Sequence, residues 1–121
     1  MKIKMGLMGI LAALLFASAA SADTLRVIVV QTTDAPAYVK ALQEGAALLK
    51  AKGSQGKIRA WVATFAGPET GTVVVSVEFP NMESVTKDMA MMRADADLKA
   101  WLQSLGKIRK IVSDSLYEEL K

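Results

Sequence analysis

Neither cysteine nor histidine occurs among the 121 residues of the chain. Without cysteine there is no disulfide, so the fold must be held by its apolar core and by interfaces. Without histidine there is no Ser-His-Asp triad, no histidine-ligated zinc and no histidine-ligated haem. The sequence therefore predicts no metal site and no bound cofactor.

The chain also has little excess of positive charge once its N-terminal leader is set aside. Fifteen Lys and Arg residues face 12 Asp and Glu residues, but two of the basic residues, Lys2 and Lys4, lie in an N-terminal leader. Without them 13 basic residues oppose 12 acidic ones, a net charge of +1. The densest remaining basic group, Lys107, Arg109 and Lys110, is interpreted as a solvated strand edge. No nucleic-acid partner is expected from this distribution.

The leader has the order of a secretory signal. Lys2 and Lys4 precede the apolar residues 5–16, and small residues fill positions 18–22. This order predicts a signal peptide over residues 1–22, because a membrane anchor would want about 20 apolar residues. We expect a single domain over residues 23–121, periplasmic or secreted, with no stable membrane insertion after cleavage.

Four stretches rich in β-branched and aromatic residues have the length of strands. They are residues 24–31, 58–65, 72–79 and 108–116. The glycine- and proline-containing residues 67–71 join the second to the third and predict an antiparallel hairpin. Alternation gives each strand two faces. The fully apolar face, which in the first strand is Leu25, Val27 and Val29 and in the third is Val73, Val75, Val77 and Phe79, is expected beneath the helices.

The first predicted helix follows the capping residue Asp34 and ends at Gly53. Its apolar stripe consists of Tyr38, Leu42, Gly45, Ala46 and Leu49. A glycine inside a helix costs up to about 1 kcal/mol relative to alanine, so Gly45 suggests a close approach of the backbone to the sheet. A helix that simply packs is the preferred interpretation.

The second helical segment is interrupted. Asn81 or Ser84 is expected to cap its start, residues 94–97 form a break, and Asp95 caps a second piece that ends at Gly106. Its methionines, Met82, Met89, Met91 and Met92, suggest a soft Cu(I) site on composition alone. Packing is the preferred interpretation, because such copper sites usually add histidine or cysteine.

The order β-α-β-β-α-β predicts an α+β, ferredoxin-like fold, a four-stranded antiparallel sheet with both helices on one face. The other face would be uncovered in a monomer, and apolar surfaces of that size are unusual. We therefore predict a homodimer that closes face to face about a twofold axis. The interface candidates are Ile28, Val30, Arg59, Trp61, Phe65, Val74, Glu78 and Ile111. Arg26 is expected on the same mixed face, and Arg59 and Glu78 are predicted to form a cross-strand ion pair.

One pattern resembles a known family. A strand that ends in an aromatic residue and a short turn (EFPNMES, residues 78–84) is followed by a helix, an Asp-x-Asp break and a tryptophan (RADADLKAW, residues 93–101). This resembles the dimeric α/β-barrel superfamily, in particular its antibiotic-biosynthesis-monooxygenase-like and NIPSNAP-like branches. The resemblance implies a dimer, and members of the superfamily include cofactor-independent oxygenases and haem-degrading enzymes.

Haem is disfavoured even within that resemblance. The haem-degrading branch implies a histidine ligand with a helper asparagine and tryptophan, and this chain has Asn81, Trp61 and Trp101 but no histidine. The remaining alternatives are haem held by Tyr38 or Tyr117, or haem with no axial residue.

Three functions stay open at this point. The first is a module that binds a small apolar or aromatic molecule between helices and sheet, with Tyr38, Phe79, Met89, Met92 and Trp101 as candidate wall residues. The second is a cofactor-independent monooxygenase acting on an electron-rich aromatic substrate, with catalytic residues unknown. The third is a structural or protein-interaction module with no ligand. An open cavity would favour the first two, and a filled core would favour the third.

Overall fold

The structure is a computed structural model that describes residues 23–65 and 67–121. The signal peptide predicted over residues 1–22 lies outside the described residues. Within those ranges no helix combines the length and the apolar character that crossing a bilayer requires.

Four strands form one antiparallel sheet: β1 (Thr24–Gln31), β2 (Lys57–Val62), β3 (Val73–Phe79) and β4 (Lys110–Glu118). Their order across the sheet is β2-β3-β1-β4. Helical segments connect β1 to β2 and β3 to β4, which confirms the predicted α+β, ferredoxin-like fold. The two central strands, β1 and β3, are the most valine-rich, as expected of strands that pack on both faces.

Two strands, β2 and β4, have boundaries that differ from the prediction by two residues or more. β2 ends at Val62, and a short 3-10 turn over Gly67–Glu69 precedes β3. β4 begins at Lys110, two residues later than expected, and runs to Glu118. The reason is that the amide of Ile108 donates to the carbonyl of Leu105 at 3.0 Å, so this part of the chain closes the preceding helix instead of pairing in the sheet.

Three α-helices occur in the described ranges: α1 (Ala35–Ala51), α2 (Met82–Ala94) and α3 (Ala96–Leu105). The predicted caps of the first two are confirmed. The carboxylate of Asp34 accepts a hydrogen bond from the amide of Ala37 at 3.1 Å, and the side chain of Asn81 accepts one from the amide of Ser84 at 2.9 Å. Each cap satisfies a donor that the first helical turn leaves unpaired.

The predicted break lies at Asp95, between α2 and α3. Asp95 is extended, with φ −85° and ψ 127°, and its carboxylate accepts from the amides of Asp97 and Leu98 at 2.9 and 3.0 Å. Lys52, at the end of α1, places its Nζ 2.9 Å from Asp95 and 3.2 Å from Asp97. One aspartate thus ends α2, starts α3 and links both to the end of α1.

The helices cover one face of the sheet. The residues buried together on that face, the helix-side core, come from β1, α1, β3 and α3: Ile28, Val30, Tyr38, Leu42, Val73, Val75 and Leu105. Val73, Val75 and Val77 of β3 lie there as predicted.

For β1 the predicted face was wrong. The register pairs Ile28 with Val75 and Val30 with Val73, and directly paired residues share a face. Ile28 and Val30 therefore lie beneath the helices, and so does Arg26, which pairs with Val77. Their assignment to the uncovered face is corrected by this register. Both faces of a central strand are apolar, so composition could not distinguish them.

The opposite face, here called the outer face, carries the other side of each strand. Leu25, Val27, Val29 and Val74 form its buried cluster, with Trp61 and Ala63 packed against them. In the described part of the chain this cluster has no helical member.

Candidate functional site

A cavity of about 130 Å³ lies between the sheet and α3, and it is called the helix–sheet cavity below. Most of its wall is apolar, with three charged side chains among the lining residues. These residues are Arg26, Ile28, Leu42, Ile58, Val75, Val77, Met92, Trp101, Leu102, Leu105, Arg109, Ile111 and Asp114. Its volume is close to the roughly 150 Å³ of an apolar cavity known to hold benzene, so one aromatic ring fits.

Trp101 forms the wall contributed by α3 and is held in one orientation. Its indole Nε1 donates to the carbonyl of Ala41 in α1 at 2.9 Å. A Cβ atom at Gly45 would lie 2.0 Å from ring atoms of Trp101. Gly45 therefore makes room for the indole and not for the sheet, which corrects the contact expected from the sequence.

A smaller cavity of about 30 Å³ adjoins the first and shares Arg26, Ile58, Val77 and Met92 with it. This volume suffices for about one water molecule. Its remaining lining residues come mainly from α2, β3 and the end of α1: Leu49, Ser54, Gly56, Phe79, Val85, Asp88 and Met89. The hydroxyl of Ser54 donates to the buried carboxylate of Asp88, which keeps that acid hydrogen-bonded.

Arg26 and Asp114 form a two-point ion pair at the helix–sheet cavity. Arg26 Nε donates to Asp114 Oδ1 at 2.9 Å, and Arg26 Nη2 donates to Oδ2 at 2.7 Å. These hydrogen bonds hold the pKa of Asp114 below its ordinary value, against the opposing effect of burial. They likewise raise the pKa of Arg26. Both groups are therefore charged at neutral pH, and they neutralise each other.

Arg109 is the third charged residue of the wall. Its Nη1 donates to the hydroxyl of Tyr38 at 3.0 Å, and its guanidinium carbon lies 5.9 Å from the centre of the Tyr38 ring. Tyr38 is fully buried. The tyrosine thus holds the guanidinium at the cavity through a hydrogen bond and a cation–π contact.

The five predicted wall residues are distributed over this region. Met92 and Trp101 line the helix–sheet cavity, and Phe79, Met89 and Met92 line the smaller one. Tyr38 lies behind Arg109 in the helix-side core.

The predicted interface residues fall into three groups: outer face, loop and helix side. Arg59, Trp61, Val74 and Glu78 lie on the outer face, as their register in β2 and β3 requires. Phe65, in the loop after β2, is 79% exposed. Ile28, Val30 and Ile111 lie on the helix side, because Ile111 pairs with Val30 and lines the cavity, so their placement on the outer face was wrong.

The predicted ion pair of the outer face is present in a long form. Arg59 Nε lies 3.8 Å from Glu78 Oε2, and Glu78 is only 4% exposed. The same oxygen has no hydrogen-bond partner among the described residues. Beside it, Trp61 Nε1 donates to Ser76 Oγ at 3.0 Å.

Sequence reasoning missed Arg26, Arg109 and Asp114 as cavity residues. Arg26 was assigned to the other face of β1, and Arg109 was interpreted as part of a solvated edge. A signal was present for Arg26 and Asp114, since each is a charged residue inside a β-branched run. Only the pairing of β1 with β4 brings them together, across 88 positions of sequence.

No cluster of three or more acidic residues suited to a metal ion occurs among the described residues. Of the two tyrosines considered for haem, Tyr38 has its hydroxyl engaged by Arg109, and Tyr117 pairs with Leu25 in the sheet.

No protein-family model matches the chain, and no curated protein matches it significantly. Among solved structures, the chain is similar to a point mutant of SnoaB, a cofactor-independent oxygenase from Streptomyces nogalater. The TM-score is 0.60 at 11% sequence identity, and the match covers 83% of this chain and 96% of that chain. A likeness at this identity shows a shared fold.

Proposed function

We propose that the protein is an exported homodimer that binds a small apolar or aromatic molecule in the helix–sheet cavity. The observation that carries the proposal is the cavity itself, which opens between α3 and the sheet where a filled core was the alternative. Its apolar wall, with Trp101 fixed by Ala41, offers a flat aromatic surface against which a ring can pack. An open cavity supports binding over a role with no ligand.

Fluorobenzene is a suitable neutral probe, because its fluorine NMR signal reports binding without relying on tryptophan fluorescence. We expect saturable broadening or shift of the fluorine resonance with wild-type protein. Leu102→Trp, which fills the cavity, should abolish it, whereas Leu120→Trp, at a residue 97% exposed, should leave it unchanged. Absence of saturable binding to the folded wild type would refute the proposal.

The homodimer and the export rest on separate support. The apolar composition of the outer face, over which no helix of the described elements packs, suits closure by a second copy. Export rests on the basic, apolar and small-residue order of residues 1–22. N-terminal sequencing of the protein recovered from the periplasm or the medium should begin at Asp23; a retained Met1 would contradict the export.

A second candidate is a cofactor-independent monooxygenase, and the structural likeness to SnoaB favours it. In such a reaction the substrate supplies the electrons. For a phenol with a free position opposite the hydroxyl, one atom of O₂ becomes the new ring carbonyl oxygen and the other leaves as water. That water takes up the displaced ring hydrogen and the hydroxyl proton, so a benzoquinone and one water result. The protein would need to exclude bulk water and orient the ring, which a cavity of this kind can do.

Oxygen consumption distinguishes the two candidates. With phenol and related one-ring phenols, an oxygenase should consume one O₂ for each quinone formed, and Leu102→Trp should abolish the activity. Binding of fluorobenzene without oxygen uptake across the panel would support the binding module alone.

A further inference from the structure

Arg109 is a cation with no hydrogen-bonded carboxylate among the described residues, in a mostly apolar wall. Its hydrogen bond and its ring contact are both with Tyr38, and its charge also helps to lower the pKa of Asp114. No carboxylate of the described residues lies within 4.0 Å of its guanidinium nitrogens, although such pairs occur for Arg26 and Lys52. A half-buried charge has lost part of its hydration and is stabilised by an anion that reaches it.

The neighbouring acid is already occupied. Both oxygens of Asp114 accept hydrogen bonds from Arg26, so this pair is neutral. Among the lining residues, the charges of Arg26 and Asp114 cancel and that of Arg109 remains. The cavity therefore carries one net positive charge.

A basic depression on the surface shares Arg109 with the cavity. Its other lining residues include cations and hydroxyls but no acid: Gln31, Thr32, Thr33, Lys107, Ile108 and Lys110. Three cations, Lys107, Arg109 and Lys110, therefore lie in this depression, and Arg109 also lines the helix–sheet cavity. A basic surface of this kind raises the association rate of anions and loses its effect as salt increases.

We infer that the ligand of the helix–sheet cavity is an aromatic carboxylate, with its ring against Trp101 and its carboxylate on Arg109, an inference that rests on the proposed binding function. The planar guanidinium presents a fork of N–H donors that matches both oxygens of a carboxylate. Tyr38 holds that fork at the edge of the cavity, so little freedom is lost on binding.

Benzoate and benzamide test the inference, since they share shape and differ in charge. The protein carries Trp61→Phe, which leaves Trp101 as the single tryptophan and makes its fluorescence a local reporter. We expect benzoate to bind about tenfold or more tightly than benzamide, and to weaken as salt is raised, because charge-assisted hydrogen bonds contribute that much.

Variants of Arg109 then test whether this residue binds the carboxylate. Arg109→Gln should weaken benzoate about tenfold or more and change benzamide less than about threefold, and Arg109→Lys should restore part of the benzoate affinity. Lys107→Gln, in the surface depression, should reduce the salt dependence of benzoate binding. Its loss of benzoate affinity should be smaller than that of Arg109→Gln. The ratio of benzoate affinity to benzamide affinity in the Trp61→Phe protein tests the preference for an anion even if an Arg109 variant fails to fold.

The outcomes separate the inference from the function on which it rests. If benzoate and benzamide bind equally and fluorobenzene also binds, the inference of an anionic ligand is wrong, whereas the proposed binding function stands. Benzoate binding that survives Arg109→Gln would overturn the assignment to Arg109. If none of the three probes binds, the proposed function fails and the inference fails with it.

Discussion

At the scale of single residues, the contact between Gly45 and Trp101 decides the shape of the helix–sheet cavity. A helix would gain up to about 1 kcal/mol from alanine at position 45. The indole lies where the added methyl group would be, with ring atoms at 2.0 Å. Such overlap costs typically 1–3 kcal/mol, about as much as the propensity gain or more. Glycine at this position is thus explained by its neighbour and not by the helix.

Gly45→Ala is therefore expected to lower the free energy of unfolding by about 1–2 kcal/mol, despite the better helix propensity. Urea unfolding measures it. Trp101→Phe should reduce this cost in the double variant, because the smaller ring vacates the space. A stabilised Gly45→Ala protein would contradict the contact.

Asp114 gives a residue-scale prediction about pH. Because the hydrogen bonds from Arg26 lower the pKa of Asp114 in the folded state, the unfolded chain binds its proton more readily. The stabilisation is therefore present above the unfolded pKa of about 3.9 and is lost as the pH falls through the lower folded value.

We expect wild type to be more stable than Asp114→Asn near neutral pH, with a difference that stays constant down to about pH 5 and shrinks below about pH 4. Urea unfolding at a series of pH values gives the two curves. Glu44→Gln, which removes an exposed carboxylate from α1, controls for the loss of an acid elsewhere. A difference that widens towards low pH would have the wrong sign.

At the scale of elements, the break between α2 and α3 directs Trp101 and Leu105 onto the sheet. Asp95 caps α3 through its hydrogen bonds to the amides of Asp97 and Leu98, and it also pairs with Lys52 of the α1 terminus. The Asp95 side chain therefore contributes both a helix cap and an ion pair, and different substitutions separate these two contributions.

Asp95→Asn should retain the cap and lose the ion pair, whereas Asp95→Ala should lose both. We expect amide exchange in the first turn of α3 to be fastest in the alanine variant, with asparagine close to wild type, since an exposed ion pair contributes little. Asp97→Ala, which removes only the second contact of Lys52, is the control. Equal exchange in all four proteins would refute the capping role.

At the scale of the whole molecule, the sheet separates two apolar regions with different tasks. The helix-side core is covered by α1 and α3 and contains the cavity, whereas the outer face has no helix over it in the described part of the chain. The buried Oε2 of Glu78, which has no hydrogen-bond donor among the described residues and lies 3.8 Å from Arg59 Nε, belongs to the outer face.

Trp61 and Val62 are adjacent in β2 and point to opposite faces, which provides a matched pair. If the outer face joins two copies, Trp61→Glu should shift the protein from dimer to monomer, and Val62→Glu should not. Light scattering after size exclusion, over a range of concentrations, measures the mass. A dimer that persists in folded Trp61→Glu would place the contact elsewhere.

The fold was predictable because its signals are local. Alternation defined the strands, and Asp34, Asn81 and Asp95 marked the helix starts through bonds to amides two or three residues away. The order of the elements then leaves few topologies open. Met92 and Trp101 were placed at the cavity side of their helices for the same reason, since helical periodicity distinguishes the buried side of a helix.

The cavity's charged residues were beyond the reach of such signals. The sequence by itself determined the α+β architecture, the caps and the apolar content of each strand. Tertiary structure alone decided which apolar face of β1 meets the helices, because a central strand is buried on both sides. That choice brings Arg26 to Asp114, and the late start of β4 leaves Arg109 beside Tyr38. Contacts between residues some 70 to 90 positions apart follow from register and packing, which no local pattern encodes.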